Sequence, residues 1–449
     1  MKRALKGRLF DAAKFVEALN NQEAGNAMRL LDKANNLSRQ NRQDIGNEAF
    51  LDLLKNTVEY VPFYRSYFSE NGLSLSHFKS IEDIDKLPII TKDILKQRRS
   101  DLISENPEDD HFITRTSGGT TGEPVAIEVN KQSSTNDVYF YYRGLQWMGW
   151  KPGYPMVKFF GGSMGGNNTP TLKNKIKKLV SGEVFIPAFD LNNRTAERVL
   201  KQIKNLGPCY LQGYVSSIYS LANYARDFNF KGLKIKGAFT TAEQLPVEQA
   251  DFISEVFSCE VKAFYGCAEI NNLGYQINQH GYYRVSEEIV FIENKDSSNF
   301  SSGSDFLVSS LWNKRMPLLR YQNGDSGELG IVEDHTAILE LSGRTADRFY
   351  SNSRGYISSI VATQTMQITG LTHKVKRYQL VQLDESNVEF RYCEFENEKL
   401  QPEELNKIIG MYKKRIGDDL RIVPVQTVDF IKSSSGKHRL MINLSNKPK

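Results

Sequence analysis

No apolar run in this chain of 449 residues reaches the length of about 18 that a membrane-crossing helix needs, because charged residues interrupt every candidate. Stable membrane insertion is therefore not expected. Cysteine is scarce as well. Cys209, Cys259, Cys267 and Cys393 have no CxxC spacing and no histidine at metal-ligand spacing, so neither a disulfide framework nor a zinc site is indicated. Reduced, mostly buried thiols are the expectation. His280, in YQINQHGYYRV, does not make a metal site by itself. The opening MKRALKGRLF is basic, but Asp11, Lys14 and Glu17 break the apolar core that a signal peptide would need, and a cytoplasmic location is expected. Internal repeats and low-complexity segments are also lacking. The net charge of +5 is modest and its lysines are dispersed, with no aromatic-basic stripe or helix-turn-helix pattern. Nucleic acid is not an expected partner, whereas an anionic small molecule such as a nucleotide suits the balance.

What is present is an ordinary globular composition, 40% hydrophobic and 25% charged, long enough for a large core and more than one domain. The first 60 or so residues lack β-type runs and carry Leu5, Leu9, Phe10, Phe15, Leu19, Leu30 and Leu31 between polar positions, a helical pattern. Such a basic opening helix either packs on the main domain or touches a membrane surface. Farther on, strand-like MVKFF, VFIPA and IKGAFTT alternate with helical stretches at Thr195 to Asn205 and Val215 to Phe228, which predicts an α/β layer fold. After Gly281, short segments such as YYRV, IVFIE, FLVSSLW, GELGIV and AILEL predict a small barrel-like β subdomain. Gly343 to Asp347 is polar and turn-rich, a candidate linker, and the last hundred or so residues read as a separate α+β lid.

The densest chemical signal is TSGGTTGEP, Thr116 to Pro124, with four hydroxyl side chains and three glycines in nine residues. Glycine lets backbone N–H groups come close to an anion, and the threonine and serine hydroxyls can donate to phosphate oxygens. Strand-like HFIT before it and VAIEV after it predict a hairpin with the glycines at its tip. It is not a Walker loop, since Glu123 follows Gly122 where that pattern requires lysine. Taken alone, an ordinary Gly/Thr-rich turn is an equal reading.

This loop resembles the phosphate loop of the adenylate-forming superfamily, which includes acyl-CoA synthetases, peptide-synthetase adenylation domains and luciferases. In the same order the chain shows AFYGCAEI (263–270), RYQNGDSGEL (320–329), LSGRTADRF (341–349) and SSSGKHRL (433–440). PFYRSYF (62–68), DIDKLPIITK (83–92) and LQGYVSSIYSLA (211–222) are similar to the phenylacetate-CoA ligase-like branch, which has relatives associated with capsular polysaccharide synthesis.

The resemblance implies a large adenylate-forming domain over 1–346, of α/β layers plus a small β subdomain, and a mobile α+β domain over 347–449 hinged at Asp347. It implies ATP and Mg2+ as cofactors, a carboxylic acid as substrate, and an acyl acceptor that is coenzyme A or an amine. Thr116, Ser117, Gly118, Gly119, Thr120, Thr121 and Gly122 would hold the phosphates, with Thr121 counted among the catalytic residues. Thr241, Ala242 and Glu243 in TTAEQL would line the adenine, with Tyr265 and Gly266 on its other side. Asp325 would accept both ribose hydroxyls and Arg344 would reach the ribose or α-phosphate, while Glu269 would coordinate the metal. Lys437 would be the adenylation lysine, although His438 departs from the small or apolar residue that usually follows it. Tyr214, Ser216, Gly161 and Gly162 would border the acid. Without the other motifs, Lys437 reads as a solvated loop residue and Asp325 as part of an Asn-Gly-Asp turn. A nucleotide-binding regulator that has lost its chemistry is the reading of another class.

Overall fold

The computed structural model describes all residues except 1, 36, 117–124, 161–181, 188–190, 192–194, 296–303, 345–348, 354, 358–361, 363–364, 367–368, 432–438 and 446–449. The amino-terminal portion is helical: α1 (Lys2–Asn20), α2 (Gln22–Asn35), α3 (Arg39–Tyr60) and α4 (Pro62–Glu70). Ser38 caps α3 by accepting from Asn41 N, and Pro62 opens α4, where its missing N–H is not needed. Thr91 starts α5 (Lys92–Gln97) by accepting from Ile94 N. Just before it, Ile90 exchanges backbone hydrogen bonds with Arg320 and Gln322. No described helix is long and apolar enough to cross a membrane.

The arms of the expected hairpin are β1 (Phe112–Thr116) and β2 (Ala126–Asn130), antiparallel, with Thr116 opposite Ala126. The tip lies outside the described residues. Helix α6 (Lys131–Trp147) follows. Next come β3 (Met156–Phe160), β4 (Glu183–Pro187), α7 (Ala196–Leu206), β5 (Cys209–Tyr214), α8 (Val215–Asp227), β6 (Ile235–Thr241), α9 (Val247–Phe257) and β7 (Val261–Tyr265). The five strands are parallel, and burial on both faces explains their nearly continuous apolar character. On one face Phe159, Leu211, Ala238 and Val261 pack with Leu200, Ile218 and Ile253 of α7 to α9. On the other, Met156, Tyr210 and Phe239 meet Phe10 of α1 and Leu145 and Met148 at the end of α6.

The antiparallel half consists of β8 (Gly274–Gln276), β9 (Tyr283–Val285), β10 (Val290–Asn294), β11 (Ser304–Ser310), β12 (Tyr321–Val332) and β13 (His335–Arg344). This is the β part expected after Gly281, yet it is hydrogen-bonded to the parallel half through β7 and β8. Eleven strands thus run in the order β10-β11-β12-β13-β9-β8-β7-β6-β5-β3-β4, with no closure into a barrel among the described residues. The linker expectation also shifts. Gly343 and Arg344 belong to β13, where they face Ser326 and Asp325 of β12, so cross-strand pairing overrides the local turn preference.

The hairpin β14 (Phe349–Ser351) and β15 (Gly355–Ile357) precedes a separate four-stranded sheet, β16 (Val375–Gln382), β17 (Asn387–Glu394), β18 (Arg421–Gln426) and β19 (Met441–Asn443), in the order β18-β17-β16-β19. Helix α10 (Pro402–Ile416) supplies Ile408, Tyr412 and Ile416 to a core shared with Leu380 and Phe390. These residues have their own sheet and their own core.

Candidate active site

Three strands end on proposed site residues: β5 on Tyr214, β6 on Thr241 and β7 on Tyr265. Tyr214 and Thr241 are register partners. They form part of the carboxyl edge of the parallel sheet, where helices and loops diverge and open α/β folds bind ligands.

At one end of that edge Tyr265 is buried, and its hydroxyl donates to Asp325 Oδ2 at 2.8 Å. Asn323 Nδ2 donates to the Tyr265 oxygen at 2.7 Å and to Asp325 Oδ2 at 3.2 Å, while Asn323 Oδ1 accepts from Asp325 N at 3.0 Å. Gly324 between them has φ +84, a left-handed turn conformation that an L side chain strains to adopt. Burial, followed by the Asp325 charge, pushes the Tyr265 phenol well above its usual pKa, so it stays a donor. Arg344 lies across the ladder from Asp325, and its side chain is outside the described residues.

Glu269 is partly exposed, and its Oε1 accepts from the Tyr321 hydroxyl at 3.2 Å. It borders a polar hollow with Arg115, Asn136, Asp137 and Asn271. Arg115, the residue before Thr116, pairs with Asp137 of α6 at 2.6 Å. Asn271, in the orientation that satisfies both ends of its amide, accepts from Arg115 at 2.9 Å and donates to the Cys267 carbonyl at 3.1 Å. Asn272 Nδ2 donates to the Asp137 carbonyl at 3.0 Å and to Asp137 Oδ1 at 3.1 Å. The β1 arm of the glycine loop is thereby tied to the segment carrying Glu269. A Cβ at Gly266 would stand 3.3 Å from Asn272 N, a tight contact that favours glycine there. Mg2+ is commonly held by one or two carboxylates plus substrate phosphates. Glu269, a partly exposed carboxylate on the hollow, is an oxygen donor of the kind Mg2+ takes.

Ser216 and Glu243 find each other. The Ser216 N–H and hydroxyl donate to Glu243 Oε2 and Oε1 at 2.7 and 2.9 Å, placing a carboxylate on the amino end of α8. Ala242 before it has φ +67, a strained backbone held at the end of β6.

Ser117, Gly118, Gly119, Thr120, Thr121, Gly122, Gly161, Gly162, Asp347 and Lys437 lie outside the described residues. His280 is at the surface, where Nε2 meets Asp251 Oδ1 at 2.7 Å, and no cluster of metal-ligating side chains occurs among the described residues. The cysteines form no disulfide, as expected, but only Cys209 is buried, with Cys259, Cys267 and Cys393 half-buried. Sequence reasoning missed Asn323, Arg115, Asp137 and Asn271, and also a polar group around Lys158. A charged residue in the middle of MVKFF was the available signal for the last.

No family model matches the chain. Protein CapK of Staphylococcus aureus is 23% identical over 453 residues, 98% of this chain and 95% of its own. Phenylacetate-coenzyme A ligase of Pseudomonas putida is 22% identical over 412 residues, 86% and 90% respectively. The solved 2-hydroxyisobutyryl-CoA ligase in its postadenylation state with R3-HIB-AMP superposes with a TM-score of 0.73 at 17% identity, covering 91% of this chain and 90% of that one. In its thioesterification state the TM-score is 0.58 over the same coverage. The chain thus shares its fold with the solved 2-hydroxyisobutyryl-CoA ligase and is similar in sequence to CapK and to a phenylacetate-coenzyme A ligase, in keeping with the resemblance that the motifs carry.

Proposed function

We propose that the protein activates a carboxylic acid with ATP as an acyl-adenylate and then transfers the acyl group, with coenzyme A as the first-choice acceptor. The observation that carries this is the hydrogen-bonded union of the YGCAE and NGD motifs through Tyr265 and Asp325 at the carboxyl edge of the sheet. A carboxylate oxygen attacks the α-phosphorus, the bond to the β-phosphate breaks and pyrophosphate leaves. The thiol or amine of the acceptor then attacks the acyl carbon, AMP departs and the acceptor's proton passes to solvent. The first step brings two anions together, so charge neutralisation is the main task of the site.

Thr116 and the loop after it hold the phosphates, Asp325 takes the ribose, and Tyr265 with Thr241, Ala242 and Glu243 flanks the adenine. Glu269 would hold Mg2+, whose charge offsets that of the phosphates. Lys437, carried by a domain that begins near Asp347, approaches the carboxylate and α-phosphate during activation only.

An amine acceptor is the second reading. The likeness to CapK spans 98% of the chain, against 86% for the phenylacetate ligase, so the fuller match is not to the relative whose name carries coenzyme A. Pyrophosphate release measured over a panel of carboxylic acids, with coenzyme A or candidate amines, tests both readings. Release that depends on the acid supports activation, and the acceptor that converts acyl-AMP to product decides between them. ATP binding with no pyrophosphate release for any acid overturns the activation reading and leaves the regulator.

A further inference from the structure

Side chains that share a face of β3 and β5 form three layers toward the carboxyl edge, since alternate strand residues point the same way. Met156 and Tyr210 are the innermost, Lys158 and Gln212 are register partners in the middle, and Phe160 and Tyr214 form the rim, edge to face with ring centroids 5.5 Å apart. The middle layer is polar between an inner layer of Met156 and Tyr210 and an aromatic rim. Lys158 Nζ meets Glu183 Oε1 of β4 at 2.6 Å and lies 5.6 Å from the Tyr141 ring centroid. Tyr141, reaching down from α6, donates its hydroxyl to Gln212 Oε1 at 2.7 Å. The Lys158 side chain is 20% exposed, and burial disfavours its charge, yet Tyr141 and Glu183 together keep its pKa above the ordinary lysine value. Gln212 is 1% exposed, and its amide nitrogen donates to no described residue.

An ammonium and a primary amide are expensive to hold among tyrosine and phenylalanine rings unless something uses their hydrogen bonds. A purely structural ion pair at this edge of the sheet would account for Lys158 and Glu183. It would not account for Tyr141 turning its hydroxyl onto Gln212 one strand farther in, or for the unspent amide donor. The layer lies directly beneath Tyr214, which is proposed to border the acid.

We infer that Lys158, Tyr141, Gln212 and Glu183 form a polar floor of the acyl pocket, selecting acids that carry a hydroxyl remote from the reacting carboxylate. Lys158 and Gln212 can donate to such an oxygen, and Glu183 can accept a hydrogen bond from its O–H. Because Glu183 already balances Lys158, the floor is neutral overall and suits a hydroxyl rather than a second carboxylate. The inference rests on the acid-activation reading and specifies its substrate class.

The test is acid-dependent pyrophosphate release by the full chain with two matched sets: butanoate, 4-hydroxybutanoate and butanedioate; phenylacetate, 4-hydroxyphenylacetate and 4-carboxyphenylacetate. In one set or both, kcat/KM for the hydroxy acid should exceed that of its plain counterpart by roughly tenfold, as one or two hydrogen bonds would give. Gln212→Leu and Tyr141→Phe should bring that ratio toward one. Tyr141→Phe removes a single oxygen and retains the ring, so its selectivity is readable even if Gln212→Leu fails to fold. Preference for the plain acid or the diacid in both sets, or a ratio unmoved by Tyr141→Phe, would overturn the polar floor while leaving acid activation in place. Absence of release with every acid would instead remove the activation reading on which the floor depends.

Discussion

The Tyr265 hydroxyl donates to Asp325 Oδ2 at 2.8 Å, joining two motifs that lie 60 residues apart in the chain. Asn323 is the third member, donating to both. This trio gives the proposed ribose carboxylate a fixed orientation before any ligand arrives, which reduces the ordering that binding must impose.

Tyr265→Phe should leave a buried carboxylate short of one donor. A loss of about 1 to 3 kcal/mol in folding stability is expected from such a deletion, together with weaker ATP binding because Asp325 is less well oriented. Thermal unfolding and calorimetric titration with ATP measure the two effects. Unchanged values for both would mean that the hydrogen bond neither supports the fold nor positions Asp325.

Arg115 and Asp137 should matter to catalysis through the loop that follows Thr116, because their pair anchors β1 to α6 and, through Asn271, to the segment bearing Glu269. Asp137→Asn retains the shape and removes the charge, weakening a charge-assisted contact by about 1.5 to 3 kcal/mol. The expected signature is a rise in KM for ATP, with acid selectivity maintained. A change in acid selectivity with KM for ATP unaltered would contradict the assignment.

A pH effect follows from the seam between α3 and β13. His335 Nδ1 lies 2.6 Å from Arg42, and burial, with Arg284 and Arg42 nearby, lowers its pKa from 6.5 to about 4. Asp334 and Glu288 oppose that shift, and Arg42 also pairs with Glu287 at 3.1 Å. In the unfolded chain the imidazole takes a proton near pH 6.5 and in the folded chain only near pH 4, so acid favours unfolding across that window. The contribution of His335 to stability should therefore fall as pH drops from about 6.5 to 4 and be flat above it. Comparing unfolding midpoints at pH 5 and pH 7.5, the difference should be smaller for His335→Asn than for the wild type. Equal differences would show that the imidazole titrates alike in both states.

Much of the scaffold was legible because its signals are local. IKGAFTT coincides with β6, Pro402 to Ile416 with α10, and the two arms of the glycine loop pair in register as β1 and β2. The candidate site was legible as motifs, since residue types such as Tyr265, Glu269 and Asp325 stand at recognisable places in short strings. The partners of those residues were not. Asn323 reads as an ordinary turn residue until the fold brings Tyr265 to it, and Arg115 meets Asp137 and Asn271 only through tertiary packing. Ser216 and Glu243 stood as independent substrate and adenine residues, whereas the structure pairs them. The candidate linker failed at Gly343 and Arg344 for a related reason, as ladder pairing with Ser326 and Asp325 outweighs the local turn preference.

Acyl-adenylate formation is tested most directly by following oxygen. A carboxylic acid accepted by the protein is labelled with 18O in its carboxylate and incubated with unlabelled ATP and the acceptor until product forms. Attack of a carboxylate oxygen on the α-phosphorus, followed by cleavage of the acyl C–O bond, transfers one labelled oxygen to the phosphate of AMP and none to pyrophosphate. Label in AMP is the expected result. Label in inorganic phosphate, or product formed with unlabelled AMP, would show that the acid is activated by another route and would contradict the proposed function.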